Sequence, residues 1–222
     1  MPKVKVARKS TSIDMTAMCD VAFLLLSFFI LTTKFKPSEA LAVVTPNSVS
    51  AKVAPENDVV LITIDKEGRV YLSVSDKNTS EKRAMITAIS TSKALNLSAA
   101  QIAAFARASS YVGVPFSQLG GLLSTPVDDI KKIKMEGIPV TDTLNNQLTD
   151  WLFAAKQAFE GKKMELLVKG DNDSKYPSFQ GVLNAFKKND LLKFQMVTNP
   201  EGVPAGTELY KNNMKRGAEK AK

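Results

Sequence analysis

The 222-residue chain carries 44% hydrophobic and 23% charged residues, an ordinary balance for a folded protein with room for one core and appendages. Its net charge of +8 sits at the two ends: Lys3, Lys5, Arg8 and Lys9 stand unopposed in residues 1–12, and Lys211, Lys215, Arg216, Lys220 and Lys222 face only Glu219 in residues 211–222. The body between is neutral, which argues against a nucleic-acid module. The absence of histidine removes imidazole-based catalysis and most zinc sites, and a single cysteine, Cys19, excludes an intrachain disulfide.

Behind the basic N-terminus, Val21–Leu31 reads VAFLLLSFFIL, and Met15–Thr33 contains one charge, Asp20. As a helix those residues extend about 28 Å, close to the hydrocarbon core of a bilayer. The predicted span covers residues 13–34, with Lys34 and Lys36 placed to reach the far headgroups. Four positive charges before the span against two after it orient the N-terminus to the cytoplasm and the rest of the chain outside. A cleaved signal peptide ending near Ala40-Leu41-Ala42 is the rival reading. Against it stand the long spacer holding Lys34 and Lys36, and an acid inside the span that export does not require. A buried core helix is the third reading, disfavoured because the run is apolar all round and nothing precedes it but the basic end.

Asp20 is costly in such a segment, by about 2.5–3.5 kcal/mol on insertion scales. Thr16 and Ser27 fall within about 40° of it around the helix axis, so a polar stripe runs along an otherwise apolar helix. An apolar surround favours the neutral carboxyl, so an acid at this depth can take up and release a proton. Asp20 is therefore the candidate proton carrier, with Thr16 and Ser27 as candidate pore-facing residues. The alternative is that Asp20 sits in the headgroup zone, where Asp14 is expected. A lone span forms no conduit, so a partner must supply the other walls.

Residues 35–57 hold three prolines and read as a linker with extended pieces around Leu41–Val44. Val59–Ile64 and Val70–Val74 flank Asp65-Lys66-Glu67-Gly68-Arg69, a hairpin signal. Helices are predicted over Ser80–Ser92, with Met85, Ile86 and Ile89 inward, and over Ser98–Ser109 behind a Ser98 N-cap. Tyr111–Pro139 is broken by Gly and Pro into short helical pieces and turns. An amphipathic helix is predicted over Thr141–Phe159, with Leu144, Leu148, Trp151, Leu152 and Ala155 on its apolar face. A strand at Met164–Val168, a helix at Ser178–Lys188, a strand at Lys193–Val197 and a polar basic tail over 201–222 complete the chain. The order ββα…αβαβ predicts an α+β domain over 58–200. Three local patterns carry no site. Lys169-Gly170-Asp171 is a strand exit, and Gly120-Gly121 lacks a phosphate-loop context. Asp171-Asn172-Asp173-Ser174 has Tyr176 where a calcium loop needs glycine.

The stretch from Ile13 to Ile30, IDMTAMCDVAFLLLSFFI, resembles the signature of the ExbD/TolR biopolymer-transport proteins, roughly D-M-T-P-M-x-D-V-x-F-x-L-L-x-F-F. Ala17 replaces the family's usual proline and Cys19 a commonly apolar residue; neither touches the acid. Leu166–Asp171, Tyr176 with the following helix, and Leu41–Pro46 are similar to features of the family's outer domain. The resemblance covers residues 13–92 and 141–198, leaving about 93–140 as an insertion whose role is not inherited. It implies that Asp20 is protonatable within a ring of polytopic ExbB/TolQ-type subunits, and that the chain is a homodimer in the bacterial inner membrane. It further implies a non-enzymatic accessory subunit, without cofactor or nucleic-acid partner, coupling the proton motive force through a TonB- or TolA-like transducer. A TolR-like stator on peptidoglycan and an anchored or secreted periplasmic binding module are the alternative functions.

Overall fold

A computed structural model describes residues 15–32, 41, 43–49, 54–107, 111–130, 133–142 and 144–220. The basic N-terminus 1–12, the outer ends of the predicted span and much of the predicted linker lie outside the described residues. The chain divides into two compact units, Met1–Glu39 and Ala40–Lys222.

In the first unit, helix α1 runs over Met15–Thr32. Its sequence contains no Pro or Gly to interrupt it, and none of its side chains is buried. Among the described residues it is the one helix long and apolar enough to cross a membrane.

The second unit is a mixed α+β domain. The β-rich runs become β2 (Val59–Ile64) and β3 (Val70–Val74), preceded by a short β1 (Asn47–Ser48). The hairpin between β2 and β3 closes where Gly68 takes φ +83°, the left-handed region glycine enters without a Cβ clash. Asp65 holds the turn: its carboxylate accepts from Arg69 Nε at 2.6 Å and from the Arg69 backbone N–H at 2.8 Å. Helix α2 (Thr79–Ser92) follows and turns Met85, Ile86 and Ile89 inward, as their spacing predicts. Helix α3 (Ala99–Arg107) begins with a reciprocal cap. Ser98 Oγ accepts from the Gln101 N–H, and Gln101 Oε1 accepts from the Ser98 N–H.

The segment after α3 corrects the expectation of turns and helical pieces alone. Tyr111–Val112 forms strand β4, antiparallel to β3, before helices α4 (Phe116–Ser124) and α5 (Val127–Ile130). Two residues are too few to carry a periodic signal, so β4 is defined by its partner strand. Ile138 N–H also bonds Val70 O at 2.8 Å, extending cover along β3. Helix α6 spans Gln147–Ala158, starting six residues later than its apolar pattern predicts. The Asp142 carboxylate accepts the Leu144 N–H, an Asx turn that competes with helical bonding. Leu144, expected on the apolar face, is therefore 97% exposed, whereas Leu148, Trp151, Leu152 and Ala155 are buried.

Strand β5 (Glu165–Gly170) runs two residues beyond its predicted end. Helix α7 (Tyr176–Lys188) starts two residues early, with proline in its first turn where the missing N–H costs nothing. Strand β6 is only Gln195–Met196, followed by β7 (Asn199–Pro200). The predicted tail is not irregular: Glu208–Lys220 forms helix α8.

The main sheet has the order β4-β3-β2-β5-β6. β2 pairs antiparallel with β3 and parallel with β5, in register Val60↔Leu166 and Ile62↔Val168. The strand face carrying Val60, Ile62, Ile64, Leu72 and Val168 shares one core with Met85, Ile89, Trp151, Val182 and Phe186 from the helices. Residues 93–140 contribute Phe105, Val112, Phe116, Leu119, Met135 and Ile138 to this same core, so they are not a separate lobe. Trp151 lies between two of them, with ring centroids 6.0 Å from Phe105 and 5.7 Å from Phe116.

Two charges are buried at the start of α2, where hydrophobic spacing gives no warning. Lys82 is 1% exposed and its Nζ lies 2.7 Å from Asp76 Oδ1. Glu81 is paired with Lys162 and accepts from Ser80 Oγ at 2.8 Å. The Lys162 pairing, with the Ser80 and Asn78 hydrogen bonds, outweighs desolvation and holds the Glu81 carboxyl at about 2, below its ordinary 4.5. A lowered native value stabilises the fold above about pH 4.5 and loses that contribution as pH falls toward 2. Glu81→Gln is expected to flatten this acid limb in denaturation curves recorded from pH 7 downward. An unchanged limb would show that the Glu81 pairing does not govern it.

Candidate functional site

Helix geometry fixes what α1 can present. Its 18 residues extend about 27 Å, and Asp20, the sixth, stands about 7.5 Å from the first. Asp20 is the only charged residue of the helix. Thr16 lies one turn before it, about 6 Å along the axis, and Ser27 about 10.5 Å beyond it. The helix therefore brings Thr16 and Asp20 to adjacent turns, whereas Ser27 is two turns away and cannot share a first coordination sphere with the acid. The Ser27 hydroxyl donates to the Phe23 carbonyl, so what it offers along the stripe is an acceptor oxygen. Thr32 bonds back in the same way, to Phe28 O at 2.7 Å. Around this stripe, Val21, Phe23, Leu24, Leu25, Phe28 and Phe29 are all exposed. Such a surface is stable only against lipid or against other apolar helices. The arrangement can do one kind of chemistry with the residues it has: bind a proton, or a small cation, at a carboxylate set into an apolar wall.

In the second unit, the described residues 43–49 of the predicted linker are held against the domain. The Val44 N–H donates to Asp171 Oδ2 at 3.0 Å, and Val44 O accepts from the Asn172 N–H at 2.8 Å. Asn199 Nδ2 donates to Thr45 O at 3.0 Å, and β1 then pairs parallel with β7 in register Asn47↔Asn199. Bonds from the Asp173 and Val44 N–H groups hold the Asp171 carboxyl below its ordinary range. The turn that looks like a broken calcium loop is thus a backbone clamp. Among the described residues no group of three potential metal ligands is brought together. Sequence reasoning missed β1, β7 and the clamp. The available signal was the Asx-turn chemistry of Asp171-Asn172-Asp173, where Asp171 Oδ1 accepts from the Asp173 N–H.

The two outer edges of the main sheet differ. The β4 side is flanked by residues 137–138, whereas β6 ends the sheet with Met196 exposed. Gln195 is tied across the strands to Glu165 at 2.9 Å.

Comparison with known proteins agrees with the membrane helix and the α+β domain taken together. No curated protein and no solved structure matches the chain. The family model described as biopolymer transport protein ExbD/TolR matches residues 7–201, which include α1 with Asp20 and the whole sheet, and end before α8. By that match over most of its length, the chain belongs to the ExbD/TolR family of biopolymer transport proteins.

Proposed function

We propose that this chain is the single-span, ion-carrying subunit of a proton-driven motor in a bacterial inner membrane. The observation that carries the reading is Asp20, the lone charge of an 18-residue apolar helix, about a third of the way along it. Polytopic ExbB/TolQ-type subunits would supply the remaining walls around Asp20, Thr16 and Ser27, with a second copy of this chain beside it. Protonation from one side and release to the other biases the helix between two positions. A charge crossing the field carries about 2.3 kcal/mol per 100 mV, enough to shift a two-state element about fiftyfold. The α+β domain lies in the periplasm in this reading and passes the movement to a TonB- or TolA-like transducer. The β6 edge, which ends the main sheet, is the place where an extended partner segment could add a strand.

An apolar carbodiimide tests the central claim, because it reacts with protonated carboxyls in apolar surroundings. In membranes holding this chain with its polytopic partner, Asp20 is expected to be labelled in preference to Asp14, with labelling falling as pH rises. Equal labelling of Asp14 and Asp20 would put both in the headgroup zone and overturn the reading.

A further inference from the structure

The C-terminal helix α8 lies beyond the residues matched by the family model, so its role does not come with the family. It does not bury its apolar side chains: Leu209, Tyr210 and Met214 are 45%, 37% and 61% exposed. At 100° per residue, Tyr210 and Met214 stand about 40° apart, with Leu209 about 100° from Tyr210 on the other side. Position 211 falls about 60° beyond Met214 and position 216 about 20° outside Leu209, and the sequence puts Lys and Arg there; Asn213, Gly217 and Lys220 fall between Leu209 and Tyr210, and Lys215 falls beside Glu208. The two acids of the helix, Glu208 and Glu219, fall together on the opposite face. A face that carries Leu209, Tyr210 and Met214, has Arg216 at one border and Lys211 at the other, and turns both acids away is the charge pattern of a helix lying at an anionic lipid interface. A purely polar polyanion would use the cations and leave Leu209, Tyr210 and Met214 in water. The pattern therefore favours lipid over a cell-wall polymer.

We propose that α8 is an amphipathic membrane-surface anchor that binds bilayers with anionic headgroups, giving the chain a second membrane contact besides α1. Its apolar strip enters the headgroup boundary while the flanking lysine and arginine stems extend to the phosphates. The proposal is independent of what Asp20 does.

The test uses the full chain reconstituted through α1 into vesicles, with Met214→Cys carrying a polarity-sensitive fluorophore in a Cys19→Ser background. In vesicles of phosphatidylglycerol and phosphatidylcholine the emission is expected to shift to the blue, and in phosphatidylcholine alone it stays water-like. High salt reverses the shift. Replacing Lys211 and Arg216 by Gln weakens the lipid-bound population by about 25-fold, taking roughly fivefold for each basic residue near an anionic surface. A Leu209→Asn, Tyr210→Asn pair abolishes the shift with all cations kept. Emission that does not depend on lipid charge overturns the proposal. So does a shift produced in phosphatidylcholine vesicles only by added cell-wall polymer, which would make α8 a polyanion-binding segment.

Discussion

Cells in which Asp20 is replaced by Asn are expected to lose coupled transport completely while keeping the protein in the membrane at its normal level. Asn is close in size to Asp and costs less to insert, so α1 should form and span at least as well. What disappears is the one carboxyl of the helix. Asp20→Glu keeps the acid and moves it by one methylene, so partial function is the expected result. Ser27→Ala is expected to be milder still. Its hydroxyl is bonded to Phe23 O within the helix and stands two turns from the acid. The measurement is uptake or envelope integrity under an imposed proton gradient, with membrane fractions blotted beside it. Full function in the Asn variant would remove proton carriage from this helix.

Trp151→Ala is expected to perturb the α+β domain strongly. The indole is fully buried on α6 between Phe105 and Phe116, and its removal leaves a cavity that three separate elements would have to collapse to fill. Losses of about 3–5 kcal/mol are typical for such truncations. That is a large share of the 5–15 kcal/mol that holds an ordinary domain together. Because both stacking partners come from residues 93–140, the variant should loosen that segment first. Hydrogen exchange is expected to rise in α3 and α4 before it rises in β2 and β5, and urea unfolding read by circular dichroism should shift to lower denaturant. Trp151→Phe, which keeps part of the stack, should fall between. A loss under about 1 kcal/mol would mean that these residues do not form a common core.

The elements that could be read from the chain were those whose partners are written into their own periodicity. VVLITI and VYLSV carry enough β-branched residues, and a turn between them, to define β2 and β3 to the residue. Met85, Ile86 and Ile89 gave the inward face of α2, and Asp20 stood out because a single acid in an apolar run is rare. What stayed hidden depended on distant partners. β1, β4 and β7 are two-residue strands defined by the backbone they meet. Lys82 looks like a solvated helix residue until Asp76 folds back over it. Leu144 fits the apolar spacing of α6 but is drawn out of the helix by the Asp142 side chain two residues earlier. α8 was obscured by its composition, since charged residues at a chain end read first as solvated tail.

The clamp on residues 43–48 also sets where force enters the domain. Those residues run along the domain, held by Asp171, Asn172 and Asn199 instead of stretching away from it. A pull arriving along the chain ahead of residue 43 therefore meets the Asp171 clamp and the β1–β7 pairing before it meets the main sheet.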